Sequence, residues 1–192
     1  MPDEVAEWLQ HADLGQTMIA ARDRHMAENT GLLAAEPGAR IVLWAHNGHV
    51  MKSHYTGSTV PATGRHLADT YGDAYYAMGL LFGAGEFRAR PSRFGRILRG
   101  RSPVRIRVPA ASAPRIVEAR LAAAHPGDYV VDLRGGGRPE AVAAWLGERT
   151  FTRGFGAVAG RFIAKTAFSP AVLGEMYDGL TFVPRTTCST PL

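Results

Sequence analysis

Two histidines, His46 and His49, flank Asn47-Gly48 in the stretch Trp44-Ala45-His46-Asn47-Gly48-His49, directly after an apolar run. Imidazole is the side chain whose ordinary pKa lies nearest neutrality. Two imidazoles this close cannot both carry charge cheaply, so at least one is expected neutral near pH 7. A neutral ring can take a proton or orient a water, which hydrolysis of a carbonyl compound requires. The same spacing supports a plainer alternative. Asn-Gly between apolar runs is a strong hairpin signal, and a hairpin would leave the histidines as a cross-strand pair with no chemical duty. Against it, Met51-Lys52-Ser53-His54 does not sustain a matching strand. The favoured reading is a corner from strand to loop that delivers both rings into a cleft.

Other candidates give less. His-x-x-His supplies at most two ligands where a catalytic zinc wants three. His54 and His66 could add to it, but no Cys pair or His-Glu-x-x-His accompanies them, so neither a metal nor a cofactor is expected. No Gly-x-Ser-x-Gly elbow exists, Ser58 reads as a turn residue, and Cys188 is a tail thiol. Gly83-x-Gly85 and Gly135-Gly136-Gly137 follow expected strands without the spacing of a dinucleotide or Walker loop, and read as turns.

The elements that must position the histidines can be read from periodicity. A helix is expected from about Glu4 to Leu33, with Val5, Leu9, Ala12, Ile19, Met26 and Leu33 at helical spacing. Arg22 and Asn29 fall on that stripe, one turn to either side of Met26, as internal hydrogen-bonders or members of a site. Residues 40–45 form a short continuous apolar run that suits a strand covered on both faces. A polar loop to Thr59 and a helix from Pro61 to Tyr71 follow. Further on, strands are expected at Ala74–Phe82, Val104–Val108 (an edge), Asp128–Leu133 and Leu180–Val183. Helices are expected at Ala113–Ala124, Pro139–Leu146 and Ala171–Met176. Alternating strands and helices predict an α/β fold, a mostly parallel sheet with flanking helices, and ligands beyond the carboxyl ends of its strands.

Composition narrows the class. No apolar run approaches the roughly 20 residues of a membrane span. The opening residues are acidic rather than basic and apolar, and a single cysteine fits a reducing compartment, so a cytoplasmic protein without membrane partners is expected. The formal charge of +5 is local: eight arginines lie between Arg88 and Arg107 with no acid among them. Elsewhere the acids outnumber the bases. Without an aromatic platform beyond Phe94, that segment reads as a solvated region or one meeting acidic groups, and nucleic acid is not expected.

At this point the residues resemble a family. Arg22-Asp23-Arg24-His25-Met26-Ala27-Glu28-Asn29, followed by Ile41-Val42-Leu43-Trp44-Ala45-His46-Asn47-Gly48-His49-Val50, is similar to the second half of erythromycin esterase-like proteins. Gly64-Arg65-His66-Leu67, Tyr76-Ala77-Met78-Gly79 and Tyr177-Asp178-Gly179-Leu180-Thr181-Phe182-Val183 agree, and the likeness is thinnest between Arg88 and Gly127. The resemblance implies an esterase-type hydrolase that opens a macrolide lactone or another ester with water and no covalent acyl-enzyme, and with it a role in antibiotic resistance. It implies that His46 and His49 line the cleft and position the water or stabilise the oxyanion. Asn47 would hold the corner, and Arg22 and Asn29 would support the site. Glu28 belongs to the motif but lies off the helical stripe.

Full-length members begin with a Gly-Glu-x-x-His-Gly type motif that carries a base histidine. The Gly-Glu pairs here, Gly85-Glu86, Gly147-Glu148 and Gly174-Glu175, are not followed by His-Gly. The expectation is therefore that residues 1–192 form the C-terminal half of such a domain. This partial domain would be feeble or inactive alone and complemented by an N-terminal half that could be separately encoded. It would leave strand edges and apolar surface uncovered. Two other functions stay open: a non-catalytic module that binds a small molecule, and binding of an anionic partner through Arg88–Arg107.

Overall fold

The structure, a computed structural model, describes residues 2–93, 96–98, 100–160, 162–163 and 167–190, and their side chains except those of residues 2–13, 93 and 96. Val5, Leu9 and Ala12 of the expected helical stripe thus lie outside the described side chains, and Phe94, Gly95 and Arg99 outside the described residues. The chain forms two compact units, Met1–Ala77 and Met78–Leu192.

In the first unit α1 spans Pro2–Ala34 and passes through Gly15 without a break. A four-residue helix α2, Asn47–Val50, occupies the Asn-Gly corner, so the two-residue hairpin is not formed. A loop closed by a bridge between His54 and Pro61 leads into α3, Thr63–Tyr71, which packs on α1. Val50, Met51, Ala62 and Leu67 are buried here. α3 approaches the end of α2 so closely that a Cβ on Gly64 would overlap the Val50 carbonyl oxygen and lie 2.6 Å from that of Met51. Only glycine fits there.

The expected strand at residues 40–45 is corrected. It belongs to no strand ladder among the described residues. β-forming side chains favour an extended chain, but a strand also needs a neighbour to pair its N–H and C=O groups.

The second unit is built on β1, Met78–Arg93. It pairs in parallel with β8, Gly179–Thr186, and antiparallel with β3, Val104–Val108. The short β2, Arg96–Ile97, and β6, Val158–Gly160, also join β1, while β4, Tyr129–Asp132, pairs antiparallel with β8. A separate ribbon joins β5, Thr150–Arg153, to β7, Phe168–Ala171. Helices α4, Val117–Ala124, α5, Glu140–Gly147, and α6, Leu173–Met176, accompany the strands. Leu180 and Phe182 of β8, Val108 of β3 and Val117 and Leu121 of α4 are core residues.

The α/β sheet with flanking helices is as expected, but its pairing is mixed. Two of the six pairings described are parallel and four are antiparallel. Short returns such as that from β1 to β3 permit only antiparallel neighbours, whereas β1 and β8 are separated by enough chain for a parallel crossover. Gly83 and Gly85 are a second difference. They lie inside β1 rather than in a turn after it, because β8 approaches them closely. A Cβ on Gly83 would meet the Pro184 carbonyl oxygen at 2.7 Å, and Gly85 has φ +131. The glycines serve close packing of two strands, not a phosphate loop.

Most of the described residues of the arginine-rich stretch lie in strands. Register sets Arg88 opposite Arg105 and Glu86 opposite Arg107. Glu86 meets Arg105 at 3.5 Å and Arg107 at 3.9 Å, and Arg88 donates to the carbonyls of Pro103 and Ser189. Arg88, Arg105 and Arg107 are thus engaged within the chain.

Candidate functional site

His46 is the N-cap of α2, and its Nδ1 accepts the backbone N–H of Gly48 at 3.0 Å. One turn later, His49 places its Nδ1 2.7 Å from Oδ1 of Asp23 on α1. The short helix thus replaces the expected strand-to-loop corner, with His46 as its N-cap and His49 three residues further along the chain. His46 is exposed. The His49 side chain keeps 15% of its surface exposed, whereas that of Asp23 has none.

Asp23 is the hub. Its Oδ2 accepts the Tyr55 hydroxyl at 2.7 Å and the backbone N–H of Thr63, the first residue of α3, at 3.3 Å. The Thr63 hydroxyl also reaches the Asp23 carbonyl oxygen. A fully buried carboxylate is costly unless each oxygen meets donors. Here three donors and the positive end of α3 surround it. Tyr55 completes a triangle, since its hydroxyl oxygen also lies 2.7 Å from His49 Nδ1 and its ring meets the imidazole edge-on at 82°. Burial raises the Tyr55 pKa well above the ordinary tyrosine value, with Asp23 adding to the shift and Arg22 opposing it. Tyr55 is therefore a neutral donor throughout the physiological range.

This network sets the tautomers. A carboxylate only accepts, so His49 donates from Nδ1 and its Nε2 carries a lone pair. His46 accepts at Nδ1, so in its neutral form the proton sits on Nε2. The two imidazoles have opposite tautomers: one presents an acceptor at Nε2, the other a donor.

Of the residues expected to support the site, Asn47 is the first residue of α2 and half-buried. Arg22 and Asn29 do not point inward. Both are exposed, and the neighbouring line of α1 runs through buried Asp23 and half-buried Met26, Ala27 and Thr30. The Arg22 charge opposes the upward shift of the Tyr55 pKa. Glu28 is exposed and pairs with His25 and Arg24. Reading only apolar residues rotated the stripe, because an acid sits at the centre of the buried face. Asp23, Tyr55 and Thr63 were missed. The available signal was Asp23 within the Arg22–Asn29 block itself. Among the described residues no group of three or more His, Cys, Asp or Glu side chains could hold a metal.

A buried Asp that orients a histidine through Nδ1 is the arrangement by which hydrolases hold a general base. With that geometry in place, the comparisons identify the class: residues 4–186 match the family model described as erythromycin esterase, and the chain belongs to that family. It is similar in fold to a Bacillus cereus protein of 22% identity and TM-score 0.72, matched over 91% of this chain and 40% of that one. A structure titled as a succinoglycan biosynthesis protein has 16% identity and TM-score 0.70, over 88% of this chain and 39% of that one. A mutant of erythromycin esterase EreC in its open conformation has 19% identity and TM-score 0.57, over 86% and 37%. The chain thus spans well under half the length of these three structures. No curated protein matches it in sequence. No helix among the described residues is long and apolar enough to cross a membrane.

Proposed function

We propose that this chain carries the histidine wall of a hydrolase site that opens a small-molecule ester or lactone, of which a macrolide is the candidate the family supplies. The observation that supports this is the 2.7 Å contact between buried Asp23 and His49 Nδ1, which leaves Nε2 as a proton acceptor. Water bonds to the carbonyl carbon as His49 Nε2 takes its proton, and the resulting imidazolium is stabilised by the adjacent carboxylate. The Nε2–H of His46 is the matching donor for the oxyanion. When the ester C–O bond breaks, the proton on His49 passes to the departing alkoxide. No acyl-enzyme is formed.

Turnover by the chain alone is expected to be feeble, since it matches only 40% and 37% of two solved structures of this fold and contains no Gly-Glu-x-x-His-Gly motif. The test is hydrolysis of a macrolide and of a small aryl ester by the chain co-expressed with the polypeptide that completes the fold. His49→Ala should lower kcat/KM by about 100-fold or more, the usual worth of a positioned acid or base. Full activity with both His46 and His49 changed to alanine would overturn the reading. Saturable binding without turnover would leave a binding module in its place.

A further inference from the structure

Asn-Gly favours a hairpin turn, yet Asn47-Gly48 lies inside α2. The pair has a second property, which follows from its atoms. Asparagine is thermolabile, and glycine has no Cβ to shield its own nitrogen or restrict its backbone. Where the chain is free to turn, the Gly48 nitrogen can reach the side-chain carbonyl carbon of Asn47. The nitrogen loses its proton and bonds to Asn47 Cγ, and the side-chain nitrogen leaves as ammonia. Water then opens the cyclic imide to aspartate, or to isoaspartate with one more methylene in the main chain.

In the structure that nitrogen is engaged. The N–H groups of a first helical turn have no partner within the helix, and the Gly48 N–H finds one in His46 Nδ1 at 3.0 Å. Backbone bonds close the turn around it, from His49 and Val50 to the His46 carbonyl and from Met51 to that of Asn47. A Cβ on Gly48 would sit 3.3 Å from His46 Nδ1 and 3.5 Å from Tyr55 Cε1, so both rings stand beside this residue. Asn29, the other asparagine of the chain, is an internal reference. It is exposed on α1, and Thr30, whose branched Cβ crowds the neighbouring backbone, follows it.

We propose that Asn47-Gly48 is a self-modification site, kept in the amide form by the His46 imidazole that holds the Gly48 N–H. His46 then has a duty that needs no substrate. The product matters to the site, because aspartate would add a carboxylate to the segment between the two histidines. Isoaspartate would lengthen the main chain between them and break the spacing that α2 sets. The proposal stands apart from hydrolysis of any ester, since its readout is a covalent change in the chain itself.

The experiment ages the full chain in mildly alkaline buffer and follows residues 47 and 29 by peptide mapping, with aspartyl and isoaspartyl forms separated. His46→Ala should speed amide loss at Asn47 by about fivefold, the population shift that a missing N-cap typically brings, and leave Asn29 unchanged. His46→Ser and His46→Asp supply an oxygen acceptor in its place and should stay within about twofold of the wild type. Unchanged or slower loss in His46→Ala would overturn the proposal, because His46 would then be idle or would itself draw off the Gly48 proton. Equal acceleration in all three variants, or loss at Asn29 rising in step, would trace the effect to the fold and overturn it as well. So would a wild-type rate at Asn47 equal to that of a free peptide of residues 44–51.

Discussion

Asp23 and His49 stand 26 residues apart in the chain, yet their side chains meet at 2.7 Å, one fully buried and the other partly open. Because Asp23 also accepts from Tyr55 and Thr63, it ties α1, α2, the following loop and α3 to one carboxylate. Structure and chemistry therefore depend on the same residue.

Replacing that carboxylate should cost stability as well as orientation. Asp23→Ala leaves the His49 Nδ1–H, the Tyr55 hydroxyl and the Thr63 N–H without their acceptor. At about 1–3 kcal/mol for each buried donor left unpaired, a loss of about 3 kcal/mol or more is expected in urea unfolding. Asp23→Asn keeps one acceptor oxygen and should lose less. A change below about 0.5 kcal/mol for the alanine variant, the size of an ordinary surface effect, would remove Asp23 from its central place.

Tyr55 gives a signature in alkali. Its folded-state pKa is raised by burial and by Asp23, so the folded protein resists deprotonation where the unfolded chain does not. Stability from this group is full below the ordinary tyrosine value of about 10 and declines as pH rises beyond it. Thermal melts between pH 9 and 11 should show a steeper fall for the wild type than for Tyr55→Phe. Parallel slopes would mean that the hydroxyl does not titrate as described.

How much of this was legible depended on whether the information was local. α1, α3, β3, β4, α5 and β8 follow from periodicity and turn residues, because each is set by which of its own side chains seek burial. His46 and His49 stood out by type and spacing. Asp23 did not, since its partners come from residues 49, 55 and 63, and no local pattern announces a buried acid whose donors arrive from elsewhere. The apolar run at 41–45 has the composition of a two-faced strand, but whether a strand is formed depends on neighbours. The glycines of β1 show the reverse error, where a turn residue marks the close approach of β8.

Gly64→Ala tests the packing beneath the site. The added Cβ would overlap the Val50 carbonyl oxygen, and backbone cannot yield as a side-chain tip does. The variant should lose about 1–3 kcal/mol or more in urea, as overpacked cores do, and should lose the dispersed His49 amide resonance with it. Wild-type stability would show that α2 and α3 can separate freely.

In the second unit the buried pair Glu118 and Arg153 holds three elements. Arg153 donates to the carbonyls of Phe82, Gly83 and Pro109, while Glu118 accepts from the Thr152 hydroxyl and the Arg153 backbone N–H. Burial lowers the Arg153 pKa, and Glu118 counters that shift. Arg153→Met alone should cost about 3–5 kcal/mol, because it leaves a buried carboxylate without its counter-charge. Adding Glu118→Leu should cost less than the two single losses combined, and a double-mutant cycle in urea measures the difference. Strict additivity would deny the pairing.

The most direct test of the central claim is the tautomeric state of the two rings, read from long-range nitrogen–proton NMR correlations of the neutral imidazoles. His49 should carry its proton on Nδ1 and His46 on Nε2, and Asp23→Asn should abolish the preference at His49 alone. A His49 ring protonated on Nε2, or one indifferent to the loss of the Asp23 carboxylate, would contradict the account.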